Sequence, residues 1–103
     1  MSAKRANTEI VGEFASRVLA VNLVVYSDCV ERERVSEGRV RREVLQLRDI
    51  EGVRVERVAS GVVTLVIEGR GGRGLRMEMM ERTSAEQARD LVERLLASNG
   101  GRP

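Results

Sequence analysis

The segment Gly69-Arg70-Gly71-Gly72-Arg73-Gly74 has the spacing Gly-x-Gly-x-x-Gly. In dinucleotide-binding proteins such glycines let the backbone approach a pyrophosphate, which is then held by the amides at the start of a following helix. Here the next residues are Leu75-Arg76-Met77-Glu78-Met79, apolar and polar in alternation, which is the period of a strand. The glycine segment therefore reads as a hairpin loop rather than a cofactor cradle. Its Arg70 and Arg73 remain candidates for contact with an anion, and the same Arg-Gly-Gly composition occurs in nucleic-acid-binding tails. A second group, Arg39, Arg41 and Arg42, follows the turn Ser36-Glu37-Gly38 and offers guanidinium forks to an anionic lipid or a phosphate. Arg41 and Arg42 must point to opposite sides of a strand, which halves that patch.

Catalytic chemistry fits poorly. The chain has no histidine, the side chain that most readily serves as base or metal ligand near neutral pH. Cys29 lies in an apolar strand without an imidazole partner, the setting of a buried structural thiol. Asp28, Asp49 and Glu51 lack the spacing of an oxygen-ligand loop, so neither a metal nor a cofactor is expected, and no catalytic residue is assigned. Glu31 and Glu33 alternate with Arg32 and Arg34, whose natural use is cross-strand ion pairing. Phe14 and Tyr26 are the only aromatics, too few to form a stacking platform, which disfavours nucleic acid as a partner. Among the methionines, alternation assigns Met77 and Met79 to the core and leaves Met80 exposed beside the helix start, a candidate interface residue.

The surrounding composition is that of an ordinary folded domain. Eighteen basic residues, 17 of them arginine, are interleaved with 16 acidic ones for a net charge of +2. This is no polybasic chain, and most of its charge reads as solvated surface. The length of 103 residues suits one domain, assigned to 9–98, between a disordered N-terminal tail at 1–8 and a C-terminal tail at 99–103. One cysteine cannot make an intrachain disulfide, and no charged-then-apolar leader is evident. The most apolar stretch, Val18 to Tyr26, falls well short of a bilayer span, and a cytoplasmic location is expected.

The elements that must position these residues are mostly strands. In Glu9 to Ala20, Ile10, Phe14 and Val18 recur every four residues as on a helix, while Gly12 and the β-branched content favour a strand, which is preferred. Val21 to Val35 reads as one long strand bent near Ser27-Asp28. After the Ser36–Gly38 turn, Arg39 to Arg48 returns as a strand, and residues 48–52 form a corner before Val53 to Val58. Val62 to Glu68 is a nearly continuous apolar run, the mark of a strand buried on both faces. The helix is the clearest element. Thr83 or Ser84 reads as its cap, Ala88, Leu91, Val92, Leu95 and Leu96 form one apolar stripe, and Asn99-Gly100 is its stop. Several strands under one closing C-terminal helix make a small α+β domain, mostly β.

Four segments, in order, resemble the bacterial pleckstrin-homology-like (PH-like) domains. Leu23-Val24-Val25-Tyr26-Ser27-Asp28-Cys29-Val30 is similar to their early "apolar, aromatic, x, Asp, x, Val" strand, and Leu47-Arg48-Asp49-Ile50-Glu51-Gly52-Val53 to their "Leu-x-Asp-Ile-x-x-Val" corner. Gly61 to Ile67 resembles their glycine-led apolar strand, and Ser84 to Leu96 sits where their closing helix belongs. The resemblance implies a two-sheet antiparallel sandwich, or partly open barrel, of seven strands closed by one C-terminal helix, of which five or six strands are clear in the sequence. It further implies a non-enzymatic module for protein–protein interaction or self-association into a homo-oligomer. Peripheral binding of an anionic membrane surface or a phosphate ligand through Arg39, Arg41, Arg42, Arg70 and Arg73 is the alternative. Phosphoinositide-binding members carry their basic signature between the first two strands. Here that stretch, Arg17 to Asn22, is apolar, so specific phosphoinositide recognition is not expected.

Overall fold

A computed structural model describes residues 9–17, 20–59 and 61–100, and the tail assignments at 1–8 and 101–103 lie outside them. The chain is mostly β, in two antiparallel sheets with one C-terminal helix. The first sheet is a four-stranded meander of β1 (Ile10–Ala15), β2 (Val21–Tyr26), β3 (Cys29–Ser36) and β4 (Arg39–Gln46). A tight turn at Leu47–Asp49 leads into the second, three-stranded sheet of β5 (Ile50–Ala59), β6 (Val62–Gly69) and β7 (Gly74–Glu81). Helix α1 (Arg82–Leu95) follows, and a wider last turn, Leu96–Gly100, runs into the segment that the sequence assigns to tail.

The long strand expected over Val21 to Val35 is two strands. Ser27 and Asp28, both turn formers, fold the chain back so that Val25 stands opposite Val30 and Val21 opposite Arg34. Paired residues in an antiparallel ladder share a face, so the buried row passes from the odd positions of β2 (Val21, Leu23, Val25) to the even positions of β3. Val30 is the first of those even positions, and Arg32 and Arg34 continue its row beyond the core.

The core lies between the sheets under the helix. Leu23, Val25 and Val30 of the first sheet and Leu65, Ile67 and Met77 of the second are at most 1% exposed. Ala85, Ala88 and Val92 complete the cluster from α1, with Leu91, Leu95 and Leu96 packed at its margin. As the apolar run predicts, β6 is buried on both faces from Val63 to Ile67. Burial of that kind is the main stabilising term, about 25 cal/mol per Å² of apolar surface removed from water.

At the C-terminal end of β7 the alternation breaks. Val63 pairs with Met80 and Leu65 with Met77, which leaves one extra residue on β7, a β-bulge, with Met79 in the left-handed region at φ 59°. The extra residue reverses the parity. Met80 is therefore fully buried and Met79 is only half-buried, the opposite of the sequence expectation, and Met80 is no surface residue. The bulge also aims the Met79 carbonyl at the end of β1, where it accepts from the Arg17 amide at 2.7 Å and the Ser16 hydroxyl at 3.3 Å. That contact ties the two sheets together at one corner.

The helix begins one residue after β7 ends. Glu81 occupies the N-cap position without a side-chain cap bond, so Thr83 and Ser84 lie inside the first turn rather than capping it. With no linker to place, the strand hydrogen-bonds up to the point where the helix takes over, and a Ser/Thr cap has no position to fill.

Candidate functional site

The arginines singled out by sequence divide among three places. The first is the distal half of the β3–β4 hairpin. Glu37 and Gly38 form its two-residue turn, both with positive φ (52° and 75°), as the tight turn that matches strand twist requires. On the face that continues the core row, Arg32 pairs with Glu43, Arg34 with Arg41 and Ser36 with Arg39. The first of these is an ion pair, and Arg32 also donates to the Arg76 carbonyl of β7 at 2.8 Å. The second is a like-charge pair. Among the described residues no carboxylate is within ion-pairing distance of Arg34, Arg39 or Arg41. Together with Ser36 and Glu37 these three arginines line an open hollow of about 260 Å³.

Arg42 does something else. It projects from the other face of the hairpin, where its Nε lies 3.1 Å from Glu31 and its Nε and Nη2 each 3.0 Å from Glu33. Glu31 is nearly buried and also accepts the Tyr26 hydroxyl. Burial first, and then the Glu31 carboxylate, hold the Tyr26 phenol above its ordinary pKa, because both disfavour a phenolate. Arg42 is thus a structural clamp over a tyrosine–carboxylate pair, separate from Arg39 and Arg41.

Arg70 and Arg73 lie at the opposite end of the molecule, in the loop between β6 and β7. Its glycines serve the turn itself. Gly71 and Gly72 have positive φ, and a Cβ on Gly69 or Gly74 would meet backbone oxygen at 2.5 or 2.7 Å. A strand follows them, so no helix amides point at the loop. Arg70 donates to the Arg48 carbonyl at 3.2 Å and so fastens the loop to the Leu47–Asp49 corner. Arg73 lines a shallow groove of about 530 Å³ with Glu51, Arg54, Glu68 and Arg76. Charge in that groove is already matched. Arg54 pairs with both Glu68 and Glu56, and Arg76 reaches Glu56 at 3.5 Å. Hydrogen bonds from Arg54 hold the Glu56 carboxyl below the usual carboxylate range.

Of five arginines proposed as an anion site, the fold brings only Arg39 and Arg41 together, and it adds Arg34, which the sequence assigned to ion pairing. The signal for Arg34 was the same Ser36–Gly38 turn, since a two-residue hairpin at Glu37-Gly38 sets Arg34 opposite Arg41. Cys29 is buried, at 1% exposure. Among the described residues no three His, Cys, Asp or Glu side chains are placed to hold a metal ion, and no helix is long and apolar enough to cross a membrane.

The second candidate surface is the free edge of β4. The order β1-β2-β3-β4 leaves that strand unpaired on its outer side. Arg39 through Val44 are all exposed, and Val35, Val40 and Val44, on one face, are each about half exposed. Of the other edge strands, β1 and β5 pack against α1 while keeping Val11 and Val58 exposed, and β7 receives bonds at Arg76 and Met79. No protein-family model, curated protein or solved structure matches the chain.

Proposed function

We propose that the protein is a non-enzymatic, cytosolic binding and assembly module, and that it self-associates through the edge of β4. The observation that carries this reading is the uncovered stretch Arg39–Val44, which presents unpaired backbone donors and acceptors beside half-exposed valines. Strand pattern supports a second copy as the occupant. Two antiparallel β4 strands related by a two-fold axis at Arg42 set Val40 opposite the partner's Val44, and Arg41 opposite the partner's Glu43. Apolar meets apolar and opposite charges meet in the same register. Arg42 faces its own copy at the axis, but each is already neutralised by Glu31 and Glu33. Registers two residues away set Val40 against Arg42 or Glu43 against itself. The resemblance of four segments to PH-like domains, a fold used for binding and assembly, and the lack of histidine support the non-enzymatic part.

The test is solution mass by light scattering over a concentration series. A mass that doubles with concentration, and that returns to the monomer in Val44→Glu without loss of folded signal, is expected. A monomer at every concentration and salt would remove self-association. Val44→Glu with an unchanged dimer would remove the β4 edge.

A further inference from the structure

The like-charge pair in the β3–β4 hairpin points to a ligand. Elsewhere in the same hairpin the cross-strand charges are complementary: Arg32 meets Glu43, and Glu31 and Glu33 meet Arg42. Directly opposite residues have their Cβ atoms about 5 Å apart, close enough for like charges to destabilise the pair. Arg34 opposite Arg41 breaks the pattern, and Arg39 adds a third guanidinium on the same face. Such a cluster becomes favourable when an anion sits among the three forks.

We infer that Arg34, Arg39 and Arg41 form a binding site for a phosphomonoester group. Three planar forks suit the three terminal oxygens of a monoester, each able to accept from more than one N–H. Three guanidiniums and the Glu37 carboxylate that shares the hollow leave two positive charges. That balance matches the dianion of a phosphomonoester, which carries about −1.5 to −2 near neutral pH, better than the single charge of a phosphodiester. A nucleic-acid backbone fits less well, because Tyr26 is buried and no ring stands beside the arginines to stack a base. Glu37 occupies the tip of the hairpin, where it would approach an anionic membrane first, so a soluble monoester is the expected source. Arg34 belongs to β3 and takes no part in edge pairing, whereas Arg41 would face the partner's Glu43 there, so the titration is also run on the Val44→Glu chain, where the β4 edge is blocked.

The experiment is calorimetric titration and thermal melting of the whole chain with inorganic phosphate and with glycerol 3-phosphate, against sodium chloride at matched ionic strength. Saturable binding and a rise in melting temperature beyond the chloride control are expected. With glycerol 3-phosphate both weaken below pH about 6, where the dianion takes up a proton and becomes the monoanion. Arg34→Ala and Arg41→Ala each weaken binding by roughly tenfold or more, the worth of a charge-assisted hydrogen bond, while Arg73→Ala leaves it unchanged. Co-sedimentation with phosphatidylcholine vesicles carrying phosphatidic acid, but not with vesicles carrying phosphatidylglycerol, would place the same monoester on a lipid, provided that Arg34→Ala abolishes it. Melting that tracks ionic strength alone with no saturable binding to either source, or a response retained in Arg34→Ala and Arg41→Ala, overturns the site.

Discussion

Leu91 of α1 rests against the bare backbone of Gly12 in β1, so closely that a Cβ on Gly12 would lie 2.8 Å from the Leu91 Cδ2. The closing helix docks on the first sheet through this missing side chain, with Phe14 at its flank. Gly12→Ala should cost about 1 kcal/mol or less, because the end of a leucine can rotate away. Gly12→Val should cost about 1–3 kcal/mol by overpacking. Urea denaturation measures both, and a Gly12→Val protein as stable as the parent would mean that the helix does not seat there.

Adjacent methionines should respond in opposite directions. Met80 is fully buried opposite Val63, so Met80→Ala should lose about 2–5 kcal/mol of stability. Met79 holds a left-handed backbone that costs a side-chain-bearing residue about 1–2 kcal/mol. Met79→Gly should therefore gain stability, by about 1 kcal/mol or less once the freer unfolded chain is counted. Equal losses from the two substitutions would contradict the bulge.

Tyr26 is the only tyrosine, which makes its titration directly readable in near-ultraviolet absorbance. Its phenol should ionise above the ordinary value of 10.0. The folded state holds this proton more tightly than the unfolded chain. The resulting stability is therefore fully present below pH 10.0 and is lost as pH rises through the higher folded value. In Glu31→Gln the midpoint should fall yet remain above 10.0, since burial, the larger cause, persists. A native midpoint at or below 10.0 would disprove the contact.

In phosphate-free buffer Arg34→Glu should stabilise the fold by about 0.2–1 kcal/mol, because it places a carboxylate opposite Arg41 in an exposed cross-strand pair. Denaturation midpoints at low and high salt check it, with the gain shrinking as salt screens the pair. Destabilisation at low salt would show that Arg34 has a partner other than Arg41.

The parts of the fold legible in the sequence are those where one residue pattern allows one geometry. The stripe from Ala88 to Leu96 could only be an amphipathic helix, the run Val62 to Glu68 only a buried strand, and Gly38 marked a turn. Where two neighbours share a character, parity becomes invisible. Cys29 and Val30 are both apolar and Glu31 to Arg34 are all charged, so alternation runs through the Ser27-Asp28 turn without showing it. Met79 and Met80 are the same residue, so the bulge left no trace. The candidate site was more legible than that: the visible turn at Glu37-Gly38 that precedes Arg39 and Arg41 also sets Arg34 opposite Arg41, and the hidden turn decides only how β3 pairs with β2.

The direct junction of β7 and α1 has a mechanical consequence. Glu81 is the last residue of the strand and Arg82 the first of the helix, so no flexible joint separates them. Lids and flaps swing on a few loop or element-terminal residues that absorb the rotation. Here any swing of the helix would have to strip β7 from its partner strand and draw Met80 out of the core. Helix and sheet are thereby one cooperative unit, whose slow amide protons should exchange together when the whole domain opens.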